Sequence, residues 1–190
     1  MLLKLIAAPA SEPITLAEAK SNARVTSNTE DTDITSLITV ARQECEVELG
    51  ARVLISQSWQ LTLDKFVDKI YIPKLPLISI TSIKYDDVNG IEQTIPPSNY
   101  VLKNNSDNKF AKIVKTANYD WPIVYDSIEN VRIVFVCGYG NAASVPEIIK
   151  HWMKLHVAHW INNKEAAIPG QMSRVEFSDG LLDTYRVLGI

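Results

Sequence analysis

Three histidines, His151, His156 and His159, fall within one short stretch of the chain. His156 and His159 are three residues apart, so on a helix their side chains share a face. Two imidazoles so placed are a start on a zinc site, whose metal-bound water would be the nucleophile of a hydrolase. A catalytic zinc takes three protein ligands and an outer layer of groups that orient them. Glu147 is the only carboxylate in the same helix, and Trp152 and Trp160 flank the imidazoles. The pattern equally describes histidines at a protein contact, so a metal-dependent hydrolase using His156 and His159 stays open as an alternative.

The other chemistry-bearing residues form no stronger constellation. Cys45 falls on the apolar side of a predicted helix and Cys137 ends a predicted strand, so both read as small buried hydrophobes. Two cysteines give no disulfide framework. Gly138-Tyr139-Gly140 lacks the further glycine and the Lys-Ser/Thr pair that cradle phosphates, and reads as a strand-exit turn. No serine sits in a nucleophile elbow. Asp86-Asp87 precedes Asn89-Gly90, where acids shape a turn through backbone hydrogen bonds. Lys103, Lys109, Lys112 and Lys115 make one stretch mildly basic. Such a run discourages strand-to-strand aggregation at a solvated edge; a nucleic-acid-binding regulator using it is the further alternative. No catalytic, cofactor-binding or metal-ligating residue is assigned.

The elements that would position these groups follow from periodicity. Thr15 with Glu18 is a capping box opening a short helix to Arg24. Ile34, Leu37, Ile38, Ala41, Cys45 and Leu49 recur at helical spacing, with Gly50 where a left-handed C-cap is wanted. Glu44 and Glu48 lie one turn apart on the outer face of that helix. After Arg52 the period becomes two: Val53, Ile55, Gln57, Trp59, Leu61 and Leu63 share one side of a strand. Further strands are expected at 69–72, 78–85, 91–95, 100–103, 111–115 and 131–137, with Asn89-Gly90 as a hairpin turn whose two central residues both take positive φ. Ser144 with Glu147 reads as a second capping box with Pro146 in the first turn. The expected class is α+β: helices from 1–52 and 141–190 form one unit, and a small antiparallel β-module over 53–140 is inserted into it.

The last helix is apolar on most faces. Residues 145–161 carry Trp152 and Trp160 with Ile148, Ile149, Leu155 and Ile161 among other large apolar groups. A surface helix of a small domain needs a single apolar stripe, so this one calls for neighbours all round, and a second subunit is a natural source. The totals agree with an assembly protein. A chain of 190 residues, 46% of them apolar, can build a sizeable core, and a net charge of −3 does not suit a protein that grips nucleic acid. The first ten residues resemble a signal peptide only faintly, without a basic start, and no run approaches the roughly 20 apolar residues that span a bilayer. The expectation is a soluble protein in a reducing compartment.

The serial order of these features resembles the head–tail connector (adaptor, or head-completion) proteins of long-tailed bacteriophages and prophages. The likeness runs through Glu12-Pro13-Ile14-Thr15-Leu16, Asp33 to Glu44, Gly50-Ala51-Arg52, Gln57-Ser58-Trp59, Pro76-Leu77, Ile83-Lys84-Tyr85-Asp86, Tyr100 and Trp121-Pro122. It continues with Val134 to Gly140, Val145 to Lys150, His159-Trp160 and Leu181 to Arg186; Asp183-Thr184 stands where the family would have a proline. The resemblance implies a structural, non-catalytic subunit of a ring of about twelve copies, a heterologous assembly. It also implies portal and tail or stopper proteins as partners, DNA passing through the channel without specific binding, no membrane and no cofactor. The location would be the head–tail junction of the virion, with host cytoplasm during assembly. Trp152, Leu155, Trp160, Leu182 and Tyr185 become the expected core or oligomer contacts, the segment 181–190 an arm for the portal or an adjacent subunit, and Glu44 and Glu48 possible channel-facing acids.

Overall fold

The computed structural model describes residues 1–50, 52–104, 110–163 and 180–187. Ala51, Lys109, residues 166–179 of the loop or arm that the sequence suggests over 166–180, and the last residues of the expected arm, 188–190, lie outside the described residues. The class is α+β, and the chain forms two compact units: Met1–Pro9 with Ser56–Gly140, and Ala10–Ile55 with the described residues after Gly140.

The second unit is helical. α1 (Leu16–Ala23) opens with the Thr15 capping box: Glu18 N donates to Thr15 Oγ1 at 3.2 Å, and Thr15 N donates to the Glu18 carboxylate at 2.7 Å. α2 (Asp31–Glu48) buries Ile34, Ile38, Ala41 and Cys45 at the expected spacing, and Gly50 beyond its end takes φ +75°. α3 (Glu147–Asn162) buries Ile149, Trp152, Met153 and Val157. The three helices pack on one another, and a 3-10 turn at Gly180–Tyr185 packs on α3.

The expected second capping box does not form. The side chain of Asn141 accepts from both the amide and the hydroxyl of Ser144 at 3.1 and 3.2 Å, which closes a 3-10 turn at Ala142–Ser144. Pro146 is then the N-cap residue of α3, and the Glu147 carboxylate turns to Lys150 Nζ at 2.7 Å.

The first unit is built of antiparallel strands, with a 3-10 turn at Pro97–Asn99 before the strand that starts at Tyr100. β1 (Leu2–Ala7), β2 (Gln57–Leu63), β8 (Val131–Cys137), β4 (Leu77–Asp86) and β5 (Glu92–Thr94) form a five-stranded sheet in the order β1-β2-β8-β4-β5. β3 (Lys69–Tyr71), β7 (Ala111–Lys115) and β6 (Tyr100–Asn104) form a second sheet with β7 central. β8 shows the cleanest alternation, with Val131, Ile133, Phe135 and Cys137 buried and the residues between them half-buried.

Two departures from the sequence reading concern this unit. Residues 1–9, expected with the helices, group with the sheet because Leu2–Ala7 pairs antiparallel with β2 from Leu2↔Thr62 to Ala7↔Ser58. The hairpin at Asn89-Gly90 is built by Asp87 instead: its Oδ1 accepts from the amides of Asn89 and Ile91 at 2.8 and 3.1 Å, and only Gly90 needs positive φ, at +76°. The acid before the turn thus replaces the second left-handed residue.

Candidate assembly surfaces

α3 positions the residues that the sequence singles out. Trp152 is buried at 3% exposure, while Leu155, Trp160 and Ile161 are half-buried. The His156 ring stacks on Trp152 with centroids 3.7 Å apart and meets Trp160 edge-on at 5.7 Å. His159 Nδ1 lies 3.3 Å from the Asn163 side-chain amide. Among the described residues no group of three His, Cys, Asp or Glu is placed to hold a metal ion. Both cysteines are free and buried, and burial pushes the Cys45 thiol far up from its ordinary value, which leaves it protonated and unreactive.

The C-terminal segment docks on its own unit. Leu182 is fully buried. Val187 N donates to the Leu49 carbonyl at 3.1 Å, and Arg186 reaches the Glu48 carbonyl at 3.2 Å and the Glu48 carboxylate at 2.9 Å. Arg52 Nε donates to the carbonyl of Tyr185, whose side chain is half-buried. The apolar groups that look exposed in sequence therefore cover the C-terminal end of α2. Glu48 is paired, whereas Glu44 stands exposed with no ion-pair partner among the described residues.

The exposed apolar surface lies mostly in the sheet unit. β1 is an edge strand with Leu2, Leu5 and Ile6 at 52%, 42% and 49% exposure. A sheet edge offers unpaired backbone groups to a further strand, and proteins usually blunt it with charge or proline; β1 carries only Lys4. The segment 116–130 between β7 and β8 is long and lacks a strand or helix of its own, which is uncommon in a compact unit. Its base is aromatic: Trp121 stacks flat on Phe66 at 4.8 Å, with Tyr119 and Tyr85 edge-on to that pair. Beyond the base Ile123 and Ile128 stand out at 81% and 74% exposure, with Tyr125 beside them. An Asp87↔Val124 bridge and the Tyr125 N–Asp86 O bond of 3.0 Å fix this loop to the β4–β5 hairpin, whose Val88 and Ile91 are also exposed.

The sheet unit also carries its main charge network here. Arg132 grips Asp86 with both nitrogens at 2.6 and 2.8 Å and reaches Glu92 at 3.1 Å, while Lys84 holds Glu92 at 2.7 Å. The Arg132 hydrogen bonds hold the Asp86 carboxyl below the ordinary range, and the Lys84 hydrogen bond does the same for Glu92. Sequence reasoning missed the loop surface. Its only signal is the apolar run Trp121 to Tyr125, which has no strand or helix period.

The decisive observation is a family match. The model of the phage gp6-like head-tail connector proteins matches residues 13–120, more than half of the chain.

The chain belongs to that family.

The matched stretch runs from just before α1 to the base of the 116–130 loop, so β8 and α3 fall outside it. Solved structures extend the likeness to the whole chain. A chain from the neck of an empty gene transfer agent (GTA) particle, computed with C6 symmetry, superposes with a TM-score of 0.81 at 20% identity, over 100% of this chain and 97% of that one. A chain from the virion of a native GTA particle gives 0.78 at 19% identity, and one from a native GTA neck computed with C12 symmetry gives 0.71 at 17%, with the same coverage. At such identities these likenesses establish the fold. Comparison with curated proteins finds no match. No helix among the described residues is long and apolar enough to cross a membrane.

Proposed function

We propose that this connector-family member is a structural subunit of a ring at a head–tail junction, with no catalytic activity. The ring docks under the portal, joins it to a tail or stopper protein and lets DNA pass. Its place is the virion, reached by assembly in the host cytoplasm. The observation that carries this reading is the exposed apolar loop surface around Ile123, Tyr125 and Ile128, which the Phe66–Trp121 stack and the Asp87↔Val124 bridge tie to the sheet unit. A contiguous apolar surface on a soluble unit marks a protein contact. The cyclic symmetry of the fold's neighbours supports a closed heterologous ring. Glu44 is the better candidate for a channel-facing acid, because Glu48 is already matched by Arg186. Trp160 and Leu155, half-buried on α3, are candidates for contact with an adjacent copy.

The test is electron microscopy of the purified chain mixed with portal. Rings stacked on the portal are expected, and their absence at every concentration sinks the reading. Ile123→Asp with Ile128→Asp should leave stability within about 0.5 kcal/mol and abolish ring formation. The metal-hydrolase alternative gains nothing from the geometry, since among the described residues no third His, Cys, Asp or Glu joins His156 and His159. Stoichiometric zinc in the purified protein would revive it.

A further inference from the structure

The outer face of the three-stranded sheet is basic, and among the described residues its strands carry no carboxylate. The register aligns Tyr71, Lys112 and Lys103 in one cross-strand row and Lys69, Val114 and Val101 in the next. Residues on one side of a strand alternate with the other, so both rows share a face. The opposite face, with Ile70, Ala111 and Ile113, is buried. The strands β3, β6 and β7 contain Lys69, Lys103, Lys112 and Lys115 and no carboxylate. Lys115 sits on the other side, paired with Asp120. Lys69, Lys103 and Lys112 have no ion-pair partner among the described residues.

Edge protection explains lysines on β3 and β6, which are edge strands. It does not explain Lys112, which lies on the central strand. A protein interface is a poor account of the face too, because lysine is depleted at such interfaces. We infer that this face binds the phosphate backbone of duplex DNA, without reading sequence. Three phosphate contacts per copy give a weak grip that a moving duplex can leave, which suits passage better than a tight site. Tyr71 is half-exposed at 43%, while the Phe110 ring is already covered by Lys112 Nζ at 5.6 Å. The face is thus short of free aromatic platforms for unpaired bases. The inference deepens the ring reading and rests on it for its setting, but the binding itself needs no ring.

The test is fluorescence anisotropy of the full chain with a short labelled duplex of arbitrary sequence. Log affinity should fall against log salt with a slope of about −2.7, from about 0.9 per phosphate contact, or roughly 40-fold between about 50 and 200 mM salt. The triple variant Lys69→Gln, Lys103→Gln, Lys112→Gln should remove that slope and keep the circular dichroism and melting point of the parent, since none of the three is buried. Lys4→Gln with Lys65→Gln, two exposed lysines elsewhere in the same unit, should leave binding unchanged. No measurable binding by the parent overturns the inference, as does equal weakening by the control pair. Tighter binding to a single strand than to duplex overturns it as well, since that would be base stacking. Rings on the portal together with absent DNA binding would defeat this inference alone; DNA binding without rings would defeat the ring reading alone.

Discussion

The two units treat apolar side chains in opposite ways. Among the described residues, the helical unit exposes only Val40, Val47 and Ile148 of its large apolar groups, whereas the sheet unit exposes its edge strand, its hairpin tip and its long loop. Yet α3 is the segment whose composition calls most strongly for a partner. The difference lies in packing. α1, α2 and the C-terminal turn all pack on α3, and the turn adds fully buried Leu182. A helix apolar on most faces can thus be satisfied within a small unit when short elements converge on it. A sheet edge and a loop tip have no such recourse, since an edge strand has a neighbour on one side only.

The largest test of that contrast is in the two cores. Phe135 on the central part of the large sheet and Trp152 on α3 are both buried. Replacing either with Ala should cost about 3–5 kcal/mol. Urea unfolding followed by tryptophan fluorescence separates the units, because Trp59 and Trp121 report on the sheet unit and Trp152 and Trp160 on the helical one. If either variant melts with no loss, that unit lacks the tight core described here.

Next comes the seal between α2 and the C-terminal turn. Gly50 holds φ +75°, and a Cβ there would lie 2.7 Å from the Val187 carbonyl oxygen. Gly50→Ala should cost about 1–2 kcal/mol in left-handed strain and in addition push the turn away. Hydrogen exchange at the Val187 amide, which donates to the Leu49 carbonyl, reads the opening directly. Unchanged protection there would mean that the turn is held by Leu182 alone.

These sites show what the sequence could and could not reveal. α2 was legible because Ile34, Ile38, Ala41 and Cys45 repeat at the helical period and all are buried on one face. β8 was legible because its alternation matches a half-covered sheet. β1 was not, because Leu2-Leu3-Lys4-Leu5-Ile6-Ala7 has no period of two. Its pairing with β2 depends on residues more than fifty positions away. The loop surface was hidden for a similar reason: exposure of Ile123 and Ile128 is set by the Phe66–Trp121 stack and the Asp87↔Val124 bridge, both formed between distant segments. The lysine face emerged only once the register put Lys69 beside the run that contains Lys103 and Lys112.

The charge network gives the sheet unit a pH dependence centred on Arg132, while in the helical unit the carboxyls of Glu18 and Glu147 are also held below their ordinary values, by the Thr15 hydrogen bonds and by Lys150. Asp86 is held below its ordinary value by the Arg132 hydrogen bonds. A carboxylate depressed in the folded state contributes stability above its unfolded value, about 4, and loses it as pH falls through the lower folded value. The sheet-unit transition should therefore weaken below about pH 4, and Asp86→Asn should flatten that fall. At neutral pH the same variant should cost on the order of 1 kcal/mol, since the pair is partly exposed. A parent pH profile identical to that of Asp86→Asn would remove Arg132–Asp86 as its source.

The smallest effects separate two capping boxes that look alike in sequence. Thr15 and Glu18 satisfy each other's backbone at the start of α1, so Thr15→Ala should cost about 1 kcal/mol. Ser144 and Glu147 have the same spacing, but the Asn141 side chain has taken the Ser144 amide and Lys150 has taken the Glu147 carboxylate. Ser144→Ala removes only a hydroxyl that donates to Asn141 at 3.2 Å in an exposed turn, and should change stability by less than about 0.5 kcal/mol. Asn141→Ala should then be the costlier change of the two, because it removes the side-chain acceptor of both the Ser144 amide and hydroxyl and leaves that amide only the Asn141 carbonyl at 3.1 Å. A chemical-denaturation series over these variants in one background orders them. If Ser144→Ala proves as costly as Thr15→Ala, the hydroxyl caps α3 in solution and Asn141 does not displace it.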